Sequence, residues 1–160
     1  MERYELAIDR AKKDLKIADH MMTVTYKLVD DPKLMLTIMQ RLMSSLTYSM
    51  ASILLYERLY KRIPPFTETF DSMFTMFKAR LTRRYHINIE YITLIQEVKK
   101  ILEEHKKSPV EFARKGKFVI CSDTYKIKVV DADLIKKYIN KAKLFVIEAE
   151  NMVKTNGRSV

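Results

Sequence analysis

Residues 30–65 decide the fold, and they read DDPKLMLTIMQRLMSSLTYSMASILLYERLYKRIPP. Asp31 can cap the free amides of a new helix while Pro32 takes its first position, where a missing amide proton costs nothing. Apolar residues then recur around much of the circumference, which is typical of a helix surrounded by other elements. The prolines at 64–65 disfavour helix in the residue before them, so this helix is predicted to end near Arg62.

Residues 2–29 predict a first helix of similar length. Its apolar stripe, with spacings of four and three, is Tyr4, Ile8, Ala11, Leu15, Ala18, Met22, Thr25 and Val29. Because the turn between the two helices is so short, they must lie antiparallel. Three serines lie on one face of the second helix, at Ser45, Ser49 and Ser52. They can seat the first helix or a second copy of the chain.

A third helix is predicted over residues 67–84, and Asn88 is predicted to cap a fourth that ends near Lys107. The aromatic stripe that opens the third helix comprises Phe66, Phe70, Phe74, Phe77 and Leu81. We interpret this stripe as core rather than as a base-stacking platform, since stacking sites pair aromatic side chains with exposed strands or loops.

The end of the sequence changes period twice. A capping box predicts a short helical turn over 108–114, and residues 117–130 then alternate as a half-buried β-hairpin does. The inward residues of the second hairpin strand are predicted to be Tyr125, Ile127 and Val129. Asp131 or Asp133 caps a last helix.

The sequence thus predicts an all-α fold. It is an up-and-down helical bundle of about five helices, built on a long antiparallel helix pair, with a small β-hairpin near 117–130. A single helical domain is expected over 1–154, followed by a frayed tail over 155–160.

Composition limits the classes of protein that this chain can belong to. Two glycines and four prolines in 160 residues are too few turn residues for a many-stranded sandwich or barrel, and one cysteine forms no internal disulfide. The longest uncharged run, between Arg41 and Glu57, is too short and too polar to cross a bilayer. We therefore expect a cytoplasmic protein with no membrane partner.

Several kinds of catalytic site are poorly supported. The two glycines, Gly116 and Gly157, cannot build a phosphate-cradling loop, and the three histidines do not share a metal-ligand spacing. No serine lies in a nucleophile-elbow context. The sequence therefore predicts no cofactor and no metal, and it favours a protein without catalytic activity.

One basic segment remains, KARLTRRYH at residues 78–86. Its four cations, with no acid among them, can hold a phosphate backbone, and the net charge of +10 favours a polyanionic partner, RNA first. The predicted nucleic-acid-binding residues are Lys78, Arg80, Arg83 and Arg84. A histidine beside arginines is also a plausible general acid–base pair for cleaving RNA, which makes Arg80 and His86 the candidate catalytic residues.

The long helix pair, the shorter helices after it and the spacing from Arg80 to His86 resemble the HEPN superfamily (higher eukaryotes and prokaryotes nucleotide-binding), especially its small lysine-rich archaeal proteins. Members carry an arginine, four to six residues and a histidine; here five residues intervene. The resemblance covers about residues 1–107. It implies an all-α bundle, often dimeric, that acts as an RNA-cleaving toxin or as the non-catalytic partner of a nucleotidyltransferase. The sequence departs from active members at Leu81, where they usually have a small polar residue.

Three hypotheses follow. The first is a non-catalytic helical binding module that contacts nucleic acid through the basic segment. The second is a metal-independent HEPN-type ribonuclease that uses Arg80 and His86. The third is a structural homodimer in which the second helix packs against its own copy.

Overall fold

The computed structural model of the chain describes residues 1–107, 110–114, 116–121 and 126–158, with backbone alone at 110–114 and 155–158. Within these ranges five helices and three strands are present. The first helix, α1, comprises Arg3–His20, a π turn over Met21–Thr25, and Tyr26–Val29; α2 is Leu34–Leu59; α3 comprises Phe70–Met76, a π turn over Phe77–Leu81, and Thr82–Tyr85; α4 is Ile89–Lys107 and α5 is Ala132–Arg158. The strands are β1, Val110–Arg114, β2, Lys117–Cys121, and β3, Ile127–Asp131. The predicted helical bundle is confirmed.

The pair formed by α1 and α2 is antiparallel and held partly by serines. The Ser45 hydroxyl donates to the Ala11 carbonyl and the Ser52 hydroxyl donates to the Tyr4 carbonyl, each at 2.7 Å. Residues later in α2 therefore contact residues earlier in α1, as expected of an antiparallel pair. Small side chains at the contact let the backbones approach closely. The serines therefore pack against α1, which is one of the two roles that the sequence left open for them.

The second helix lies at the centre of the bundle and contacts each of the other four helices. Its fully buried apolar side chains are Met35, Ile38, Met39, Leu42, Leu46, Met50, Ile53, Leu54 and Tyr56. Only Tyr48 and Leu59 among its large apolar side chains are exposed. The prediction that this helix is surrounded is confirmed, and one chain suffices to surround it.

The stripe predicted on α1 is correct up to Met22 and wrong at its end. Tyr26 is buried in place of Thr25, and Val29 is 59% exposed. The cause is the π turn, which adds one residue to the helical repeat and so moves every later side chain by one position. A regular 3.6-residue period does not anticipate this shift.

The β-hairpin is confirmed and belongs to a three-stranded antiparallel sheet in the order β1-β2-β3. The helical turn predicted over 108–114 is wrong, because residues 110–114 form β1 along β2. The two residues that suggested its cap, 108 and 109, lie outside the described residues. A third strand stabilises a hairpin that would be marginal alone.

The inward face predicted for β3 is also wrong. Ile127 is 69% exposed and Val129 is 39% exposed, whereas Val130 is fully buried. The register pairs Val130 with Phe118, which is buried against the helices. Paired residues share a face of the sheet, so β2 sets the orientation of β3. Tyr125 lies outside the described residues.

Side-chain caps fix the starts of α4 and α5. The Asn88 side chain accepts from the Glu90 amide, and the Asp131 side chain accepts from the Leu134 amide at 2.9 Å, which selects Asp131 over Asp133 as the cap of α5. The fraying of 155–160 stays a prediction. In the ranges that the structure describes, no helix is long and apolar enough to cross a membrane.

Candidate nucleic-acid interface

The C-terminal half of α3 is positioned by its π turn. Buried or half-buried side chains recur at a constant spacing of four, at Met73, Phe77, Leu81 and Tyr85. In a regular α-helix three such steps would rotate the last residue by roughly 120° from the first. The π turn over Phe77–Leu81 absorbs one residue and removes most of that rotation. Tyr85 therefore stays on the inner side of the helix.

Tyr85 meets a buried carboxylate, that of Glu57 in the last turn of α2. The Glu57 side chain has no exposed surface, and the Tyr85 hydroxyl donates to its Oε1. Burial, and then the hydrogen bond to Glu57, raise the pKa of Tyr85 to about 12. The phenol thus stays protonated and remains a donor to the carboxylate.

Two arginines compensate the charge of Glu57. Arg62 Nη1 lies 3.3 Å from Oε1, and Arg84 Nε lies 3.4 Å from Oε2. Lys61 has a left-handed backbone with φ 58°, and the Arg62 amide donates back to the Glu57 carbonyl at 2.9 Å. This C-terminal turn of α2 brings the Arg62 side chain back beside the Glu57 carboxylate. A buried carboxylate is stable only with such partners, so Glu57 ties the end of α3 to the end of α2.

The four predicted phosphate-binding residues fall into three settings. Arg84 is engaged by Glu57, although 47% of its side chain is exposed. Lys78 is exposed and its Nζ lies 4.5 Å from the centroid of the Phe74 ring. The Arg80 and Arg83 side chains are exposed and form no hydrogen bond or ion pair with any described residue. We call these four residues, Lys78, Arg80, Arg83 and Arg84, the basic helix end.

His86 terminates α3 rather than extending it. Its backbone is left-handed, with φ 50°, and the next amide, of Ile87, donates to the Thr82 carbonyl. Histidine is among the residues that tolerate this conformation better than most. The side chain is exposed, and among described residues no hydrogen bond or ion pair joins it to Arg80 or to any other group. The structure therefore places the candidate catalytic residues at one helix end without bringing them into contact.

The aromatic stripe of α3 divides into core and margin. Phe77 and Leu81 are fully buried, as predicted, and the Phe77 ring meets Phe145 of α5 edge to face. Phe70 and Phe74 pack against the core but keep part of their surface exposed. Their ring centroids are 5.4 Å apart, with 34° between the planes. The interpretation of the whole stripe as core is therefore too simple.

Two buried acids were missed by the sequence analysis. Glu57 is one, and the sequence contains a sign of its burial. It is the only acid between Asp31 and Glu68, and it lies in the most apolar helix. Asp14 on α1 is the other, 1% exposed, where it accepts from the Ser44 hydroxyl and lies near Arg10 and Arg41. An unpaired acid in an apolar helix predicts a partner elsewhere.

A groove of about 730 Å³ runs beside α1 and α2, and its charged lining residues include Arg3, Asp9, Arg10, Lys13 and Glu68. Arg3 and Glu68 pair with each other across it, so the lining is of mixed sign. No group of three potential metal ligands occurs in the described part of the chain. The basic helix end is therefore the most coherent single-sign surface that the sequence analysis identified.

Comparisons with protein-family models, with curated proteins and with solved structures gave no match to this chain.

Proposed function

We propose that this protein is a non-catalytic binding module that holds a polyanion, RNA first, at the basic helix end. The observation that carries the proposal is the setting of Arg80 and Arg83, two exposed cations with no ion pair to a described residue. They lie in a stretch that has no acid between Asp71 and Glu90. Such cations can neutralise phosphates, and the counterions that the nucleic acid then releases drive association.

Arg84 contributes to this surface indirectly, through its pairing with Glu57. Its guanidinium neutralises the buried Glu57, which would otherwise place a negative charge beneath the cations. We therefore expect Lys78, Arg80 and Arg83 to contact phosphate, and Arg84 chiefly to position them. Three contacts are modest, which suits a module that binds through charge rather than through base sequence.

The setting of His86 favours binding over cleavage. A general acid–base histidine is held by a second group that fixes its ring and its protonated nitrogen. His86 is exposed and forms no such hydrogen bond with a described residue. The alternative, a HEPN-type ribonuclease using Arg80 and His86 with a nucleotidyltransferase as partner, follows from the family resemblance and predicts cleavage without added metal.

The prediction of a homodimer rests on apolar faces of α2 that would be left uncovered, and the described part of the chain leaves no such face. The apolar faces of α2 that suggested a second copy are covered by the other helices of the same chain. Of the three serines that could have permitted a close dimer contact, Ser45 and Ser52 instead donate to backbone carbonyls of α1, and the buried Ser49 donates to the Ser45 carbonyl of α2 itself. An assembly role would need a surface on another element.

The test is a charge-matched comparison of two triple variants. Lys78→Gln/Arg80→Gln/Arg83→Gln removes three charges from the basic helix end, and Lys100→Gln/Lys136→Gln/Lys137→Gln removes three equally exposed charges from α4 and α5. Fluorescence anisotropy with a labelled single-stranded RNA would give affinity as a function of salt. The first variant should flatten the slope of log affinity against log salt by about 2, and the control should change it much less. Equal losses in both variants, or no binding by the wild type at low salt, would refute the proposal.

A further inference from the structure

The pairing of Phe74 with Lys78 differs from the other aromatic–cation pairs near it. Lys78 Nζ lies 4.5 Å from the Phe74 ring centroid, and Lys78 has no ion pair with a described residue. Lys99 lies over the neighbouring Phe70 ring at 3.8 Å, but Asp71 and Glu103 hold its ammonium at 3.0 and 3.5 Å. The cation over Phe74 can therefore move away at little cost, whereas the cation over Phe70 is held.

We propose that Phe74 is a stacking platform for one base of a single-stranded nucleic acid whose phosphates are bound by the basic helix end. This inference rests on the proposed function and names the form of nucleic acid. Aromatic rings beside a basic track are the usual means by which proteins bind single strands without reading sequence. When a base stacks on Phe74, Lys78 is displaced from the ring and becomes available to a phosphate.

The dimensions of α3 suit a short strand. Residues rise by about 1.5 Å along a helix, so Arg83 lies about 13 Å along the axis from Phe74. Phosphates of a stacked strand are spaced by about 3.4 Å along its axis. A base at Phe74 and a phosphate near Arg83 therefore belong to one segment of a few nucleotides, and Lys78 lies between them along the axis.

A duplex should not use this platform. Base faces within a double helix are covered by their neighbours, and a ring half-buried on a helix flank cannot enter the stack. The phosphates of a duplex remain available to the same cations. The proposal therefore requires Phe74 to contribute to single-strand binding and not to duplex binding.

Tyr48 on α2 supplies a matched control outside the basic helix end. It is 37% exposed, and Arg10 lies over its ring at 5.5 Å. Arg10 is held by the buried Asp14, with Nε 3.3 Å from the carboxylate, so this pair resembles Phe70 and Lys99 rather than Phe74 and Lys78. Tyr48→Leu removes an exposed ring of similar size that is not part of the basic helix end.

The experiment compares wild type, Phe74→Leu and Tyr48→Leu, since leucine keeps most of the apolar packing and lacks a stacking face. Each is titrated with a single-stranded RNA decamer, an abasic strand of the same length and an RNA duplex. We expect Phe74→Leu to weaken single-strand binding about tenfold with an unchanged salt slope, and to leave the abasic strand and the duplex unaffected. Tyr48→Leu should bind all three as the wild type does.

Three results would overturn the inference. Unchanged single-strand affinity in Phe74→Leu, with salt-dependent binding intact, would refute the stacking while leaving the proposed function in place. An equal loss for single strand, abasic strand and duplex would show that the substitution perturbs the helix rather than a stacking face. A wild-type protein that binds none of the three at low salt would refute both the stacking and the proposed function.

Discussion

Arg84 on α3 places its Nε 3.4 Å from Oε2 of Glu57, a carboxylate at the end of α2 with no exposed surface. A buried carboxylate is costly without a cation, and an arginine at a helix end is free to turn toward one. The pair joins two helix ends that are far apart in sequence.

Replacing Glu57 should therefore weaken the fold. Glu57→Gln keeps the shape of the side chain but removes the charge that Arg62 and Arg84 neutralise. We expect the free energy of unfolding in urea to fall by about 1–3 kcal/mol, because hydrogen bonds to a charged group are lost in the interior. Glu68→Gln, in an ion pair with 43% exposure, should cost less than about 1 kcal/mol. Equal costs would show that the burial of Glu57 does not matter to its role.

Alkaline pH should weaken the contact between Tyr85 and Glu57. Burial and the hydrogen bond to Glu57 raise the pKa of Tyr85 to about 12, whereas the phenol in an unfolded chain has an ordinary pKa near 10. The folded state thus holds its proton more tightly, so this contribution to stability is complete below about pH 10 and is lost as the pH rises toward 12.

The variant that isolates this contribution is Tyr85→Phe. It should be less stable than the wild type at pH 8, and its stability should fall less steeply between pH 10 and pH 11.5 in urea titrations. Other tyrosines with a raised pKa remain in both proteins and contribute the residual slope. Burial and Glu148 raise the pKa of Tyr91 to about 12. Burial and Glu97 likewise raise the pKa of Tyr138. Identical slopes would mean that Tyr85 does not titrate with the fold.

The division of the aromatic stripe should appear in stability measurements. Phe77→Ala removes a fully buried ring and should cost about 3–5 kcal/mol, and Leu46→Ala should cost about 2–5 kcal/mol. Phe74→Ala should cost less than Phe77→Ala, because its ring is only partly buried. Lys13→Ala, on the surface, should hardly change the free energy of unfolding. A larger loss at Phe74 than at Phe77 would place the core boundary elsewhere.

His86 separates binding from cleavage. His86→Ala should leave RNA affinity within about twofold of wild type, because one imidazole contributes little to phosphate binding beside the cations of the basic helix end. The wild-type protein, incubated with RNA and a chelator, should leave the RNA intact on a denaturing gel. Cleavage by the wild type that is lost in His86→Ala would instead support the ribonuclease hypothesis.

The helices were predictable because a 3.6-residue period and a few caps carry the information locally, as at Asn88 and Asp131. The sheet was harder, for a physical reason. A period of two defines two faces without saying which one is inward, and in β3 the choice falls to Val130 because Phe118 of β2 is buried beside it. That information is not in β3 itself.

The site was less predictable than the fold. The sequence located the basic helix end, but it could not show that Arg84 is engaged by Glu57, since that contact joins two helices. Nor could it show that Phe74 lies at the margin of the core. The constant spacing of four from Met73 to Tyr85 was visible, yet only the folded helix shows that a π turn sustains it.

That π turn couples the length of α3 to the chemistry of α2. Forcing Phe77–Leu81 into a regular α-helix with all of its residues retained would rotate everything after it by about 100°. Tyr85 and Arg84 would then turn away from Glu57, and Arg62 alone would compensate the carboxylate. Deleting one residue within the turn would instead leave a regular helix that keeps Tyr85 and Arg84 directed toward Glu57. Divergent copies of this gene should therefore be able to lose the extra residue while they keep the acid at position 57.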